Sequence, residues 1–366
     1  MEQQHFELIK GKIEQLMASM QEHADEQQIN TLDDVLRQTL QYVESSDEAL
    51  FLSIYLAAVK THLRPGADSH EHIYLQQFER PQIELFDVLL NKFPFVITGH
   101  AQVNHKISEI LSTTEKAVLI DVGAGRGLQI LKLLKLLSGN SVLKELTIIG
   151  IEPFDDALAF ASQVINEASA GLNFKVNFIP VASMIEDLDE TELKKIIPTD
   201  ERIIVNAAFV IHHLQTEQER KTFFGLMHKI GANDILLTEP QSDHLEADWK
   251  TRAHNAYIHY GALYRLIDKL DIGAKEKKGL KMFFGREIDD VVGNPDDQRF
   301  ERHEPGEKWI TYLSENGFSS AGRDFRLAPE LIMPPLELQY HDEGFWCLGY
   351  KGADILSLIY ALRVTH

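Results

Sequence analysis

Val118-Leu119-Ile120-Asp121-Val122-Gly123-Ala124-Gly125-Arg126-Gly127 decides how this chain is read. The apolar, partly β-branched run up to Ile120 predicts a buried parallel strand, and the alternating glycines after Asp121 predict a tight turn with room for a ligand. Leu128, Ile130, Leu131, Leu133, Leu134, Leu136 and Leu137 then form an apolar series broken by Gln129, Lys132 and Lys135, which is a helical pattern. The order is strand, glycine turn, helix.

Gly123, Gly125 and Gly127 can take positive φ and admit a ligand where a Cβ would intrude. The helix after them offers free N–H groups to a polar or anionic group. A dinucleotide fingerprint would read Gly-x-Gly-x-x-Gly, but Leu128 stands where its last glycine would fall and the pattern closes at Gly127. With Asp121 two residues before the first glycine, the segment resembles the first motif of class I S-adenosylmethionine (SAM) methyltransferases.

Working outward, Leu146 to Ile151 reads as a second strand ending at Glu152, and Phe174 to Ile179 as a third. Glu201 to Asn206 reads as a fourth, and Asp234 to Thr238 as a fifth ending at Glu239. Helices alternate with these strands, which predicts right-handed crossovers. The expected fold class is α/β: a doubly wound, mostly parallel, seven-stranded Rossmann-like methyltransferase sheet with a helical cap.

Residues 1–92 carry helical periodicity, as in Phe6, Ile9, Ile13, Leu16 and Met20, and are expected to form an N-terminal helical cap. Within it, Ser46-Asp47-Glu48 predicts a helix start, Arg64-Pro65-Gly66 a break, and His70 to Asn91 a further helix with Pro81 inside it. Residues 93–240 are expected to form the SAM-binding core and 241–316 a helical cap insertion. Residues 317–366 are expected to complete the sheet with a hairpin made from Phe318 to Leu327 and Phe345 to Lys351.

With 366 residues, 44% hydrophobic and 25% charged, the composition is that of an ordinary soluble globular protein. No apolar run approaches a membrane span, and the N-terminus lacks the basic-then-apolar form of a signal peptide, so a cytoplasmic location without membrane partners is expected. A net charge of −20 argues against nucleic-acid binding, which needs clustered Lys and Arg. Cys347 is the sole cysteine, which excludes an intrachain disulfide. A monomer or homodimer is expected.

In an open α/β sheet, ligands lie beyond the carboxyl ends of the strands. Asp121, Glu152, Asn206 and Glu239 all fall at such ends. The expected cofactor site therefore joins Asp121, Gly123, Ala124, Gly125 and Gly127 with Glu152 and Pro153, Ala182 and Ser183, Asn206 and Ala207. Glu152 is placed to accept hydrogen bonds from ribose hydroxyls. Asn104 is placed on a helix near the mouth of the glycine turn.

Methyl transfer needs alignment, plus a base where the acceptor must lose a proton. His212, His213 and Glu239 are the candidate bases, and each can equally serve as a structural hydrogen-bonding residue. The acceptor is expected to meet Phe209, His212, Glu239, Tyr257, His259, Tyr260 and Trp346. Adjacent histidines point about 100° apart on a helix, a poor arrangement for joint metal ligation. Asp243, His244, His254 and His259 add potential ligands, but no metal is expected.

Taken in order, Asn104 to Leu111, Val118 to Gln129, Thr147 to Glu152, Val205 to Leu214, Glu239 to His244, Phe283 to Val292, Arg299-Phe300-Glu301-Arg302-His303 and Gly344 to Arg363 resemble the landmarks of the GRAS domain. That family is best known as plant transcriptional regulators, with motifs named VHIID, PFYRE, RVER and SAW. Val118-Leu119-Ile120-Asp121 stands for the first, Phe284-Gly285-Arg286-Glu287 for part of the second, and Arg299 to Arg302 for the third. The terminal Ser-Ala-Trp itself is missing.

Plant members generally lack the full glycine signature that this chain keeps. It therefore resembles the bacterial branch, for which the resemblance implies SAM-dependent methyl transfer to small molecules. It also implies that Arg286, Glu287, Arg299 and Arg302 form ion pairs linking cap to core. A regulatory or interaction protein that binds SAM or another ligand without turnover is the alternative, and a nicotinamide-dependent oxidoreductase is disfavoured by the glycine spacing.

Overall fold

The computed structural model describes residues 2–19, 24–44, 46–64 and 88–364. The chain divides into two compact units, Met1–Phe93 with Ser242–His303, and Pro94–Gln241 with Glu304–His366.

The second unit is built on one sheet. Strands β1 (Lys116–Val122), β2 (Glu145–Ile151), β3 (Lys175–Val181), β4 (Arg202–Ala208) and β5 (Asp234–Pro240) run parallel in the order β3-β2-β1-β4-β5. β1 and β2 are buried along nearly their whole length, so apolar residues occupy both faces, as a doubly covered parallel sheet requires. β9 (Ala353–Arg363) lies antiparallel to β5, followed outward by β8 (Phe345–Tyr350) and β7 (Glu337–His341), while β6 (Phe318–Ser320) pairs with β9.

Among the described residues the sheet has nine strands, which corrects the expected seven. The expected hairpin partner Phe318 to Leu327 stops being a strand after Ser320, where the Ser320 hydroxyl bonds to Gly344 O and the chain turns at Gly322. The closing hairpin is β8 with β9.

The helices of this unit are α4 (Pro94–Leu111), α5 (Leu128–Leu136), α6 (Asp155–Ser169), α7 (Glu190–Ile196), α8 (Glu217–Lys229) and α11 (Gly306–Glu315). Thr216 and Glu219 cap α8 reciprocally. A Cβ on Gly99 of α4 would stand 3.1 Å from Leu356 and Thr238, so glycine permits close approach to the sheet. α11 sends Trp309, Tyr312 and Leu313 into the sheet's core and belongs to this unit, so the inserted helical segment closes at His303.

The first unit holds α1 (Glu2–Ser19), α2 (Glu26–Leu40) and α3 (Asp47–Leu63), with α9 (Trp249–Lys269) and α10 (Ala274–Ile288) from the insertion. Ser46 caps α3 as its sequence predicts. The helix expected from His70 to Asn91 falls largely outside the described residues; 88–92 are helical. α10 runs directly into a π-helical turn, Asp289–Gly293. Trp249 Nε1 and Arg252 Nε donate to Val292 O and Val291 O of that turn, at 2.9 and 3.2 Å.

Arg299 and Arg302 both bind Asp296, and Arg299 also donates to His244 O at 2.5 Å. These arginines tie down their own loop within the helical unit.

Candidate ligand site at the strand ends

The glycine turn after β1 takes positive φ at Gly123, Gly125 and Gly127, with values of 74°, 50° and 73°. The three glycines do different work. A Cβ on Gly123 would press on Val210 at 3.1 Å, and one on Gly127 on Ala161 and Ile165 at 3.2 Å, so these two serve packing as well as backbone geometry. A Cβ on Gly125 would meet nothing within 4 Å. Its open side is where a ligand can approach the backbone.

Asp121 and Asn206 stand opposite each other at the ends of β1 and β4. Asn206 Nδ2 donates to Asp121 Oδ1 at 2.5 Å, and Asn206 Oδ1 is buried without a hydrogen-bond partner. Burial pushes the Asp121 carboxyl up to about 7, against the opposing pull of the Asn206 amide. The pair presents buried acceptor capacity that lacks a donor.

At the end of β2, Glu152 is 9% exposed and accepts the Gly125 N–H at 3.0 Å. Burial raises its pKa, while the N–H groups of Gly125 and Phe154 act in the other direction. Pro153 is exposed, and Phe154 beyond it leaves 66% of its surface open. Ala182 and Ser183 follow β3, with Met184 47% exposed next to them. Two large apolar side chains left in solvent just past adjacent strand ends mark a surface suited to a flat ring. Phe154 escapes a sequence reading because nothing in Pro153-Phe154-Asp155 announces its exposure.

Beyond β4 the chain turns through Phe209, which takes φ +56° and donates its N–H to Thr238 O at 2.8 Å. A bulky residue in the left-handed region is strained and needs such support. Glu239, fully buried at the end of β5, accepts the N–H groups of Val210 and Ile211 on Oε1 at 3.1 and 2.9 Å. Its Oε2 lies 2.6 Å from His212 Nδ1. Burial alone would raise the Glu239 carboxyl, but His212 and the two backbone donors hold it below the ordinary range. The result is an imidazole whose orientation is set by a buried carboxylate. The His213 ring lies 4.2 Å from that of His212. His100 of α4 meets Phe209 edge to face at 6.0 Å, and burial, helped by Lys132, lowers it to about 3. His100 carries no motif and reads in sequence as an ordinary helix residue.

The remaining expected site residues sit elsewhere. Both ends of the Asn104 amide are engaged by Gln129 of α5, so its visible task is to join two helices rather than to face a cofactor. Trp346 does not join the strand-end group: it packs against Tyr340 and donates to Phe325 O at 2.8 Å, on a strand outside β9. Tyr257, His259 and Tyr260 belong to the helical unit, where Tyr257 packs on Phe51 and Tyr55, and His259 and Tyr260 pack on each other and on His244. Asp121, the glycines, Glu152 and Asn206 are brought together, with Glu239, His212 and Phe209 at the neighbouring strand ends.

The GRAS domain family model matches residues 13–332. Protein DWARF AND LOW-TILLERING of Oryza sativa subsp. japonica is 26% identical over 229 residues, covering 61% of this chain and 37% of its own length. DELLA protein 2 of Medicago truncatula is 24% identical over 256 residues, covering 65% of this chain and 47% of its own length. The match spans less than half the length of either relative. The crystal structure of SCL7 from Oryza sativa superposes with a TM-score of 0.79 at 17% identity, covering 96% of this chain and 99% of that chain, and shares its fold.

Proposed function

The chain belongs to the GRAS domain family, and on that premise we propose that it is a SAM-dependent methyltransferase acting on a small-molecule acceptor. The observation that carries this reading is the orphaned Asn206 Oδ1 beside the Asp121 carboxyl, at the mouth of a turn whose middle glycine faces open space. A buried acceptor pair of this kind suits a ligand bringing positive charge and N–H donors, as the ammonium of a methionine moiety does. The carboxylate of Glu152 retains acceptor capacity for ribose hydroxyls beyond the backbone bond it makes. Phe154 and Met184 offer apolar surface to a base.

SAM supplies an electrophilic methyl group on a sulfonium. The chain's own part is to align the acceptor and to receive its proton. Phe209 and His212 wall the acceptor side. His212, held at Nδ1 by Glu239, takes the proton at Nε2, and Glu239 acts as the positioning residue. The test is formation of the demethylated product from SAM across a panel of small acceptors. Acceptor-dependent product that His212→Gln abolishes supports the reading.

A second reading is a binding or regulatory protein of the same family without turnover. It is favoured by the regulatory role for which the family's plant members are known. Saturable SAM binding with no product from any acceptor would select it.

A further inference from the structure

In the helical unit, we propose a divalent metal site formed by Glu287, Glu301 and His303. The proposal does not depend on the methyl-transfer reading. One donor atom from each residue lies within 4.8 Å of the other two, so a single ion needs only small side-chain adjustments to bind all three. His303 is 2% exposed, and both glutamates are half-buried. His303 Nε2 lies 3.1 Å from Glu301 Oε2, and the two nearby carboxylates repel each other in a partly dry setting, a repulsion that a bound cation would offset.

A further polar group points into the same cluster. The Tyr260 hydroxyl is fully buried and interacts with the Glu287 carboxyl. The backbone around the cluster is also held in place. Asp290, in the π turn that follows α10, accepts the N–H groups of Phe300 and Glu301 at 2.9 and 2.8 Å, fixing the segment that carries two of the three ligands. His303 O accepts the His244 N–H at 3.0 Å, and the two rings pack at 4.8 Å. Such supporting contacts are what orient metal ligands.

Two carboxylates and one imidazole suit a first-row divalent ion such as Mn²⁺ or Zn²⁺. Bound there, the ion would cross-link α10 to the 299–303 loop. The ligands escape a sequence reading because they are split between a helix and a distant loop, without the i, i+4 spacing of a helical pair.

The test uses the full chain, freed of metal with a chelator and titrated with Mn²⁺ alone, with free Mn²⁺ read by electron paramagnetic resonance. The expected result is one equivalent bound per chain, with affinity weakened about tenfold or more in Glu287→Gln and in His303→Gln. Mn²⁺ should raise the melting temperature of the wild type only. Glu287→Gln removes carboxylate repulsion, so its metal-free melt should not fall below that of the wild type, which keeps the test decisive if His303→Gln fails to fold. No uptake, or uptake equal in wild type and Glu287→Gln, overturns the proposal and leaves a proton shared between the carboxylates.

Discussion

Asn206 Nδ2 donates to Asp121 Oδ1 across 2.5 Å, bonding the ends of two neighbouring parallel strands where the glycine turn begins. Burial raises the Asp121 carboxyl from 3.8 to about 7, so the folded state holds its proton more tightly than the unfolded chain does. The resulting destabilisation is absent below pH 3.8, grows as pH rises, and is complete above about 7. At about 1.4 kcal/mol per unit, it amounts to at most about 4 kcal/mol. Asp121→Asn should therefore be more stable than wild type in denaturant at pH 8, equal to it near pH 4, and much weaker in binding SAM. A variant less stable at pH 8 would contradict this account of Asp121.

The glycines should separate by role. Gly127→Ala drives a Cβ toward Ala161 and Ile165 and also carries the left-handed backbone cost, so it should lose about 2–5 kcal/mol of stability in denaturant melts. Gly125→Ala meets no neighbour, so its cost should be limited to the left-handed backbone, about 1–2 kcal/mol, while its loss of SAM affinity should exceed that cost. Calorimetry run beside the melts distinguishes the two.

Glu239→Gln keeps an acceptor for the Val210 and Ile211 N–H groups but removes the charge facing His212. If Glu239 positions the base, kcat should fall on the order of 100-fold or more with KM little changed, and the rate should depend differently on pH. Equal losses in SAM binding would assign Glu239 a purely structural task.

His100 is held neutral by burial, its pKa lowered from 6.5 to about 3. A base whose folded pKa is lowered contributes full stability above its unfolded value and loses it as pH falls. Between pH 6.5 and 5 the unfolded chain gains a proton that the folded chain refuses, which costs about 2 kcal/mol. Over the same range the Asp121 contribution runs in the opposite sense, so the difference is what is read: between pH 8 and 5 wild type should fall by about 2 kcal/mol relative to His100→Gln. His244, lowered in the helical unit first by burial and then by His303, His259 and nearby arginines, adds a loss of the same sign there.

The parallel half of the sheet was legible because its strands are buried on both faces, so Val118 to Ile120 and Leu146 to Ile151 read as continuous apolar runs. The antiparallel half was less so. Glu337–His341 is a partly exposed outer strand with a mixed pattern, and Ala353–Arg363 carries an apolar run that suits a helix as well as a strand. At the site, the strand-end rule placed Asp121, Glu152, Asn206 and Glu239 correctly at their strand ends. It did not reveal that Asp121 faces Asn206, because that depends on the register between β1 and β4. Trp346 suggested a pocket wall by its residue type alone, whereas its indole N–H is spent on Phe325 O.

The central claim, that the glycine turn with Asp121 and Glu152 binds SAM, is tested most directly by isothermal calorimetry of the full chain with SAM and its demethylated product. The account predicts saturable one-site binding of both, abolished in Gly123→Val and sharply weakened in Asp121→Asn. Absence of binding by the correctly folded wild type would contradict it.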